Sequence, residues 1–160
     1  MVLEELNIPE ERKAVLIGRN GKTKKQIEGL TMTSITISGG VLIKGSVENV
    51  LKAKNIIEAI GRGFSPKHAL RLLDEDCQLD IISLEAETEN TRKRLFGRVI
   101  GRKGATRKII EQSTGALVSV YGKTVSIIGT VTEINHARSA IEDLLEGRQH
   151  GYVYARMKQD

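Results

Sequence analysis

The chain is poor in the residues from which redox centres, zinc sites and disulfide scaffolds are built. Its 160 residues include one cysteine, Cys77, which excludes an intrachain disulfide and a cysteine-based zinc site and points to a reducing interior. The three histidines, His68, His136 and His150, are scattered with no metal-ligand spacing. Tryptophan is absent and aromatic residues make up 3%. No apolar run approaches the ~18 residues needed to span a bilayer, and the acidic opening "MVLEELNIPEE" lacks the apolar stretch of a signal peptide. These absences predict a soluble, cytoplasmic protein that holds no metal and no cofactor.

What the chain does have, it has twice. "IGRNGKTKKQIE" at Ile17–Glu28 returns as "IGRKGATRKIIE" at Ile100–Glu111, 83 residues later. That spacing marks a duplicated domain rather than a short solenoid repeat, with each copy about 70 to 80 residues long. Each copy places Gly-x-x-Gly before a stretch of helical character. Gly18, Gly21, Gly101 and Gly104 permit backbone angles and close approaches that a Cβ would block, and the following helix offers uncapped N–H groups and the positive end of its dipole to an anion. Arg19 and Asn20 in the first loop, and Arg102 and Lys103 in the second, add donors for phosphate oxygens. Lys22, Lys24 and Lys25 follow the first loop; Arg107 and Lys108 follow the second. A net charge of +5 and a pI near 9.4 suit a nucleic-acid partner without requiring one.

The periodicities predict the same element order in both copies. In the first copy a strand over Val2–Ile8 precedes a helix over Glu10–Ile17, which Pro9 introduces. After the glycine loop come a helix over Lys22–Leu30, a hairpin of Ser34–Ser38 and Val41–Lys44 around Gly39-Gly40, and a helix over Ser46–Ile60. That last helix has Val47, Val50, Leu51, Ala53, Ile56, Ile57 and Ile60 as its candidate buried face. The second copy reads as a strand over Gln78–Leu84, helices over Thr91–Ile100 and Ala105–Thr114, a hairpin of Leu117–Tyr121 and Thr124–Ile128, and a helix over Thr132–Leu145. Ser65 and Pro66 mark an N-cap and first turn, so a linking helix is predicted over Pro66–Leu73. Its Ala69, Leu70, Leu72 and Leu73 are expected to pack the two copies into a semi-rigid tandem.

The β-α-α-β-β-α order with "VIGRKG" between the first two helices resembles the type I KH fold. The linker "GRGFSPKHALRLLDED" and the tail "EGRQHGYVYARMKQ" resemble those of the archaeal partner-of-Nob family of small-subunit ribosome assembly factors. The resemblance implies an α+β chain of two type I KH domains, 1–63 and 77–147, with a linking helix at 64–76 and a C-terminal extension at 148–160. It further implies binding of single-stranded small-subunit pre-rRNA near its 3′ end, beside a Nob-type endonuclease or another assembly factor, with no catalysis by this chain. A KH groove clamps about four unpaired nucleotides between the glycine loop and an aliphatic wall, which accounts for the scarcity of aromatics. Candidates for that wall are Leu16, Ile17, Ile27 and Ile35 in the first copy, and Val99, Ile100, Ile109 and Val118 in the second. The basic run "TRKRLFGR", ending in Arg98, extends the expected RNA path. Asn20 in place of Lys103 leaves the first loop less positive.

Other readings compete. "GKT" at Gly21–Thr23 is not a P-loop, which requires glycine where Leu16 stands; the "GKT" at Gly122–Thr124 fails in the same way at Leu117. The acidic group Asp74, Glu75, Asp76 and Asp80 admits a metal-dependent nuclease that uses the KH units as grips, or a solvated linker face. An RNA-binding module of an exosome-like complex is a further alternative. The tail, with Tyr152 and Tyr154 among small apolar residues, is expected to dock on the second copy or on a protein partner, or else to fray.

Overall fold

The computed structural model describes residues 1–159 and divides into two compact units, Met1–Glu75 and the chain from Asp76 onward. The first unit runs β1 (Val2–Leu6), α1 (Glu10–Ile17), α2 (Lys22–Thr31), β2 (Ser34–Ile37), β3 (Val41–Gly45), α3 (Val47–Gly61) and α4 (Pro66–Ala69), followed by a 3-10 turn at Leu70–Leu73. The second runs β4 (Cys77–Ser83), α5 (Glu89–Ile100), α6 (Ala105–Thr114), β5 (Leu117–Tyr121), β6 (Thr124–Thr130), α7 (Val131–Leu145) and α8 (His150–Gln159). Each unit holds one three-stranded antiparallel sheet with its last strand in the middle, ordered β1-β3-β2 and β4-β6-β5. This is the type I KH arrangement, present twice.

Helices cover one face of each sheet, and their apolar stripes decide which. In α3, Val50, Ala53, Ile56, Ile57 and Ile60 are buried together with Ile35, Val41 and Ile43 of the sheet. The predicted face was too wide, since Val47 and Leu51 stand 59% and 56% exposed. They share a stripe one turn apart on the flank of the helix, outside the 50/53/57/60 ridge that meets the sheet. In the second unit Val99, Ile110, Val118, Val125, Ile127, Ala137, Ile141 and Leu144 form the corresponding core.

Caps set most of the boundaries. Ser46, Ser65, Thr88 and Thr130 each accept a backbone N–H through the side chain at the start of α3, α4, α5 and α7, and Thr130 forms a reciprocal capping box with Glu133. Capped by Thr88, α5 begins at Glu89, two residues before the predicted Thr91. The predicted linking helix is α-helical only through Ala69, after which it tightens to a 3-10 turn; the segment packs on α3 of its own unit, with Ala69 and Leu72 buried.

The tail is ordered. It forms α8, and its Val153 and Met157, one turn apart, are buried in the core of the second unit. On β4, Asp80 pairs with Arg138 of α7 at 2.6 Å; Asp80 and then Glu142 hold the Arg138 guanidinium above its ordinary pKa. Among the described residues no helix is long and apolar enough to cross a membrane.

Candidate nucleic-acid interface

The two glycine loops share one backbone. Gly18 lies at φ 73°, ψ 178°, Asn20 at 56°, 28° and Gly21 at 74°, 13°. Gly101 lies at 72°, 176°, Lys103 at 55°, 28° and Gly104 at 77°, 13°. The first glycine of each loop is required twice over. Its positive φ is one reason; the other is that a Cβ at Gly18 would stand 2.2 Å from Thr23 Oγ1, and one at Gly101 2.2 Å from Thr106 Oγ1. The second glycine has open space around it and is required by φ alone.

Neither loop helix has a side-chain cap. Gly21 and Gly104 occupy the N-cap positions of α2 and α6 and supply none, in contrast to the Ser and Thr caps of α3, α4, α5 and α7. The first-turn amides of these two ten-residue helices are therefore open to an anion, with the positive end of the helix dipole behind them. Around them Arg19, Asn20, Lys22 and Lys25 in one unit, and Arg102, Lys103 and Lys108 in the other, are exposed. Lys103 adopts a left-handed conformation that asparagine tolerates far better than lysine. The second loop thus carries more backbone strain than the first, and gains a cation at its tip.

The remaining sequence candidates divide by what they touch. Lys24 donates to Glu28 and to the Ile35 carbonyl, both at 3.1 Å, and Arg107 donates to Glu111 at 2.9 Å; both lie behind the loops, half-buried. Arg98 points away from the loop. Its Nε donates to the Leu144 carbonyl at 2.8 Å and its Nη2 to the Arg148 carbonyl, so it holds the end of α7 rather than extending the basic path. Val99 is fully buried in the second core and offers no surface to a ligand. The aliphatic wall narrows in the same way. Leu16, Ile27, Ile35 and Val118 are buried, because helix periodicity and strand alternation turn them inward, which leaves Ile17, Ile100 and Ile109 on the surface side.

Three supporting contacts escaped the sequence reading, although the residues of two of them repeat in register. Thr23 and Thr106 lie under the first glycine of each loop. Glu28 and Glu111 each accept the first inward amide of the following strand, Ile35 N–H at 2.8 Å and Val118 N–H at 2.9 Å, clipping α2 to β2 and α6 to β5. The third contact exists only in the second unit, where the Tyr154 hydroxyl lies 2.9 Å from Thr106 Oγ1 and joins the tail helix to the underside of the loop. The acidic group does not form a site. Asp80 is spent on Arg138 and Glu75 lies 3.8 Å from Lys52, and among the described residues no three His, Cys, Asp or Glu side chains gather so as to hold a metal ion.

Comparison with known proteins agrees with this geometry. A eukaryotic-type (type I) KH-domain family model of the Pno1 second domain matches residues 78–160, and a general KH-domain model matches residues 3–59. A KH domain-containing protein of Methanocaldococcus jannaschii is 43% identical over 95% of this chain and 71% of its own length. Dim2p of Pyrococcus horikoshii OT3 is 48% identical with a TM-score of 0.92, covering 100% of both chains. This chain belongs to the tandem KH-domain family of Pno1 and Dim2p. Another member, the RNA-binding protein pno1 of Dictyostelium discoideum, is 33% identical over 67% of this chain, which spans 46% of that protein. The P. horikoshii family member has also been crystallised in a complex with a/eIF2alpha and rRNA, in which its chain matches with a TM-score of 0.92, 48% identity and coverage of 99% of this chain and 93% of that one.

Proposed function

We propose that the protein is a ribosome assembly factor that binds single-stranded RNA through its two glycine loops and performs no chemistry on it. The carrying observation is the pair of loops with one backbone, each opening an uncapped helix and ringed by exposed cations. Such a loop grips phosphates of an unpaired strand without melting a duplex. The family's Dim2p–a/eIF2alpha–rRNA complex supports rRNA as the ligand class. Small-subunit pre-rRNA near its 3′ end is the target, and a Nob-type endonuclease or another assembly factor in the cytoplasm is the protein partner.

Incubating the purified chain with labelled single-stranded RNA in Mg²⁺ or Mn²⁺ tests this reading. A gel shift with intact RNA is expected, and cleavage would replace it with the nuclease alternative. Crosslinking in cells, followed by sequencing of the bound RNA, is expected to give a peak at the 3′ end of the small-subunit rRNA; a peak elsewhere would remove the assignment of the target.

A further inference from the structure

The glycine loop of the second unit joins two helices, and α8 touches that joint on both sides. On the near side α5 ends at Ile100, so the Arg98 carbonyl has no amide of its own helix to accept from; His150 Nε2 donates to it at 3.0 Å. On the far side the Tyr154 hydroxyl lies 2.9 Å from Thr106 Oγ1, in the first turn of α6. His150 and Tyr154 are four residues apart and so share one face of α8, where their rings meet edge to face with centroids 6.1 Å apart. Thr106 serves two partners at once. Its amide is one of the uncapped first-turn donors offered to an anion, while its hydroxyl is held by the tail.

The first unit has the threonine without the tail. Thr23 stands in register with Thr106, but counting onward from the aligned helices α3 and α7 puts Pro66 opposite His150 and Leu70 opposite Tyr154. Neither of those side chains can form a hydrogen bond, and their segment packs on α3. α8 is also lightly held. It has ten residues, too few for a stable helix alone, and it carries Gly151-Tyr152-Val153-Tyr154, a run of weak helix formers. Val153 and Met157 anchor it in the core with Tyr154 packed beside them, and Arg156, itself half-exposed, pairs with Asp143 at 2.8 Å. A terminal segment joined to its domain by so few contacts opens locally at a fraction of the cost of global unfolding.

We propose that α8 is a releasable brace for the second glycine loop: docked, it fixes α5 and α6 in the spacing that grips RNA, bound RNA in turn tightens its docking, and drawing it off lets the strand go. The proposal rests on the RNA-binding reading above. His150 and Tyr154 are then positioning residues that act on RNA through the Arg98 carbonyl and Thr106. The test uses a parent chain of full length carrying Arg19→Asp and Asn20→Asp, so that the second loop dominates, and a short single-stranded RNA with the 3′-end sequence of small-subunit rRNA. Hydrogen exchange of the α8 amides is measured with and without saturating RNA, with the α3 amides of the first unit as the control. RNA is expected to slow α8 exchange about fivefold, the equivalent of one hydrogen bond, and to leave α3 unchanged. His150→Ala with Tyr154→Phe, which keeps Val153 and Met157, is expected to abolish this slowing and to lose about the same factor of RNA affinity, since the coupling is reciprocal. If the parent binds the RNA and its α8 exchange does not change, the brace is wrong while the RNA-binding reading stands. Equal slowing in the parent and the double variant also overturns the brace, because the RNA then touches the helix directly. A parent chain that binds no RNA overturns both.

Discussion

Tyr154 and Thr106 are 48 residues apart and share a hydrogen bond of 2.9 Å, with the threonine hydroxyl lying directly beneath Gly101. The tail helix is thus a support for the second glycine loop. Tyr154→Phe leaves the ring and removes the bond, and because Thr106 is buried its hydroxyl loses a partner. A loss of about 1 kcal/mol in stability is expected by thermal or denaturant unfolding, with weaker RNA binding through the second loop. Deleting Gly151–Asp160 also removes the buried Val153 and Met157, and is expected to cost several times more.

Lys103 is the cation at the tip of the second loop and the residue strained there. Replacing it with asparagine, the residue the first loop uses in the same conformation, is expected to stabilise the protein by about 1 kcal/mol while lowering RNA affinity. Asn20→Lys should do the reverse on both counts. Melting temperature and gel-shift affinity, measured on the same preparations, check the opposition; a change of the same sign in both would disprove it.

The exposed cations set the electrostatics of binding. Arg102→Asp with Lys103→Asp is expected to weaken RNA binding strongly with the fold retained, and Arg19→Asp with Asn20→Asp to weaken it less. Affinity of the parent chain should fall with salt by a log–log slope of about −0.7 for each phosphate neutralised on a single strand, and a duplex of equal length should compete poorly. Titrations at several salt concentrations measure all three.

Glu111 holds the β5 edge through the Val118 amide. Glu111→Ala leaves that buried strand amide without its acceptor and is expected to cost about 1 to 3 kcal/mol, with faster hydrogen exchange at Val118 N–H. Glu28→Ala should reproduce the effect at Ile35. Exchange measured by NMR at these two amides decides whether the clip acts equally in both units.

Much of this architecture was legible because the duplication printed it twice: wherever one copy was ambiguous, the other supplied the period, and α6 and β5 fall where their patterns place them. The misreadings have physical causes. Arg98 looks like one more cation in "TRKRLFGR", but its fork is spent on two carbonyls 46 and 50 residues away, a long-range contact that local charge does not reveal. Val99 beside the glycine loop turns inward because it is one turn on from the buried Leu95. The tail reads as alternating because its tyrosines are two apart, whereas its burial follows Val153 and Met157, four apart.

In each unit one arginine holds the C-terminal end of the helix that follows the hairpin, α3 or α7. Arg12 donates from Nε to the Ile60 carbonyl at 2.7 Å and from Nη2 to the Phe64 carbonyl at 2.8 Å; Arg98 does the same for Leu144 and Arg148. The four acceptors correspond between the copies, since α3 and α7 align residue for residue, but the donors do not. When the loops are set in register, Arg12 falls opposite Leu95 and Arg98 opposite Val15, so a column-by-column comparison of the halves would score both arginines as unshared and dispensable. The shared requirement belongs to the pair of carbonyls, and each half has met it from a different turn of its first helix. Chimaeras that exchange α1 and α5 should therefore be cut outside both arginines, because a junction between them would leave one helix end with two donors' worth of charge or with none.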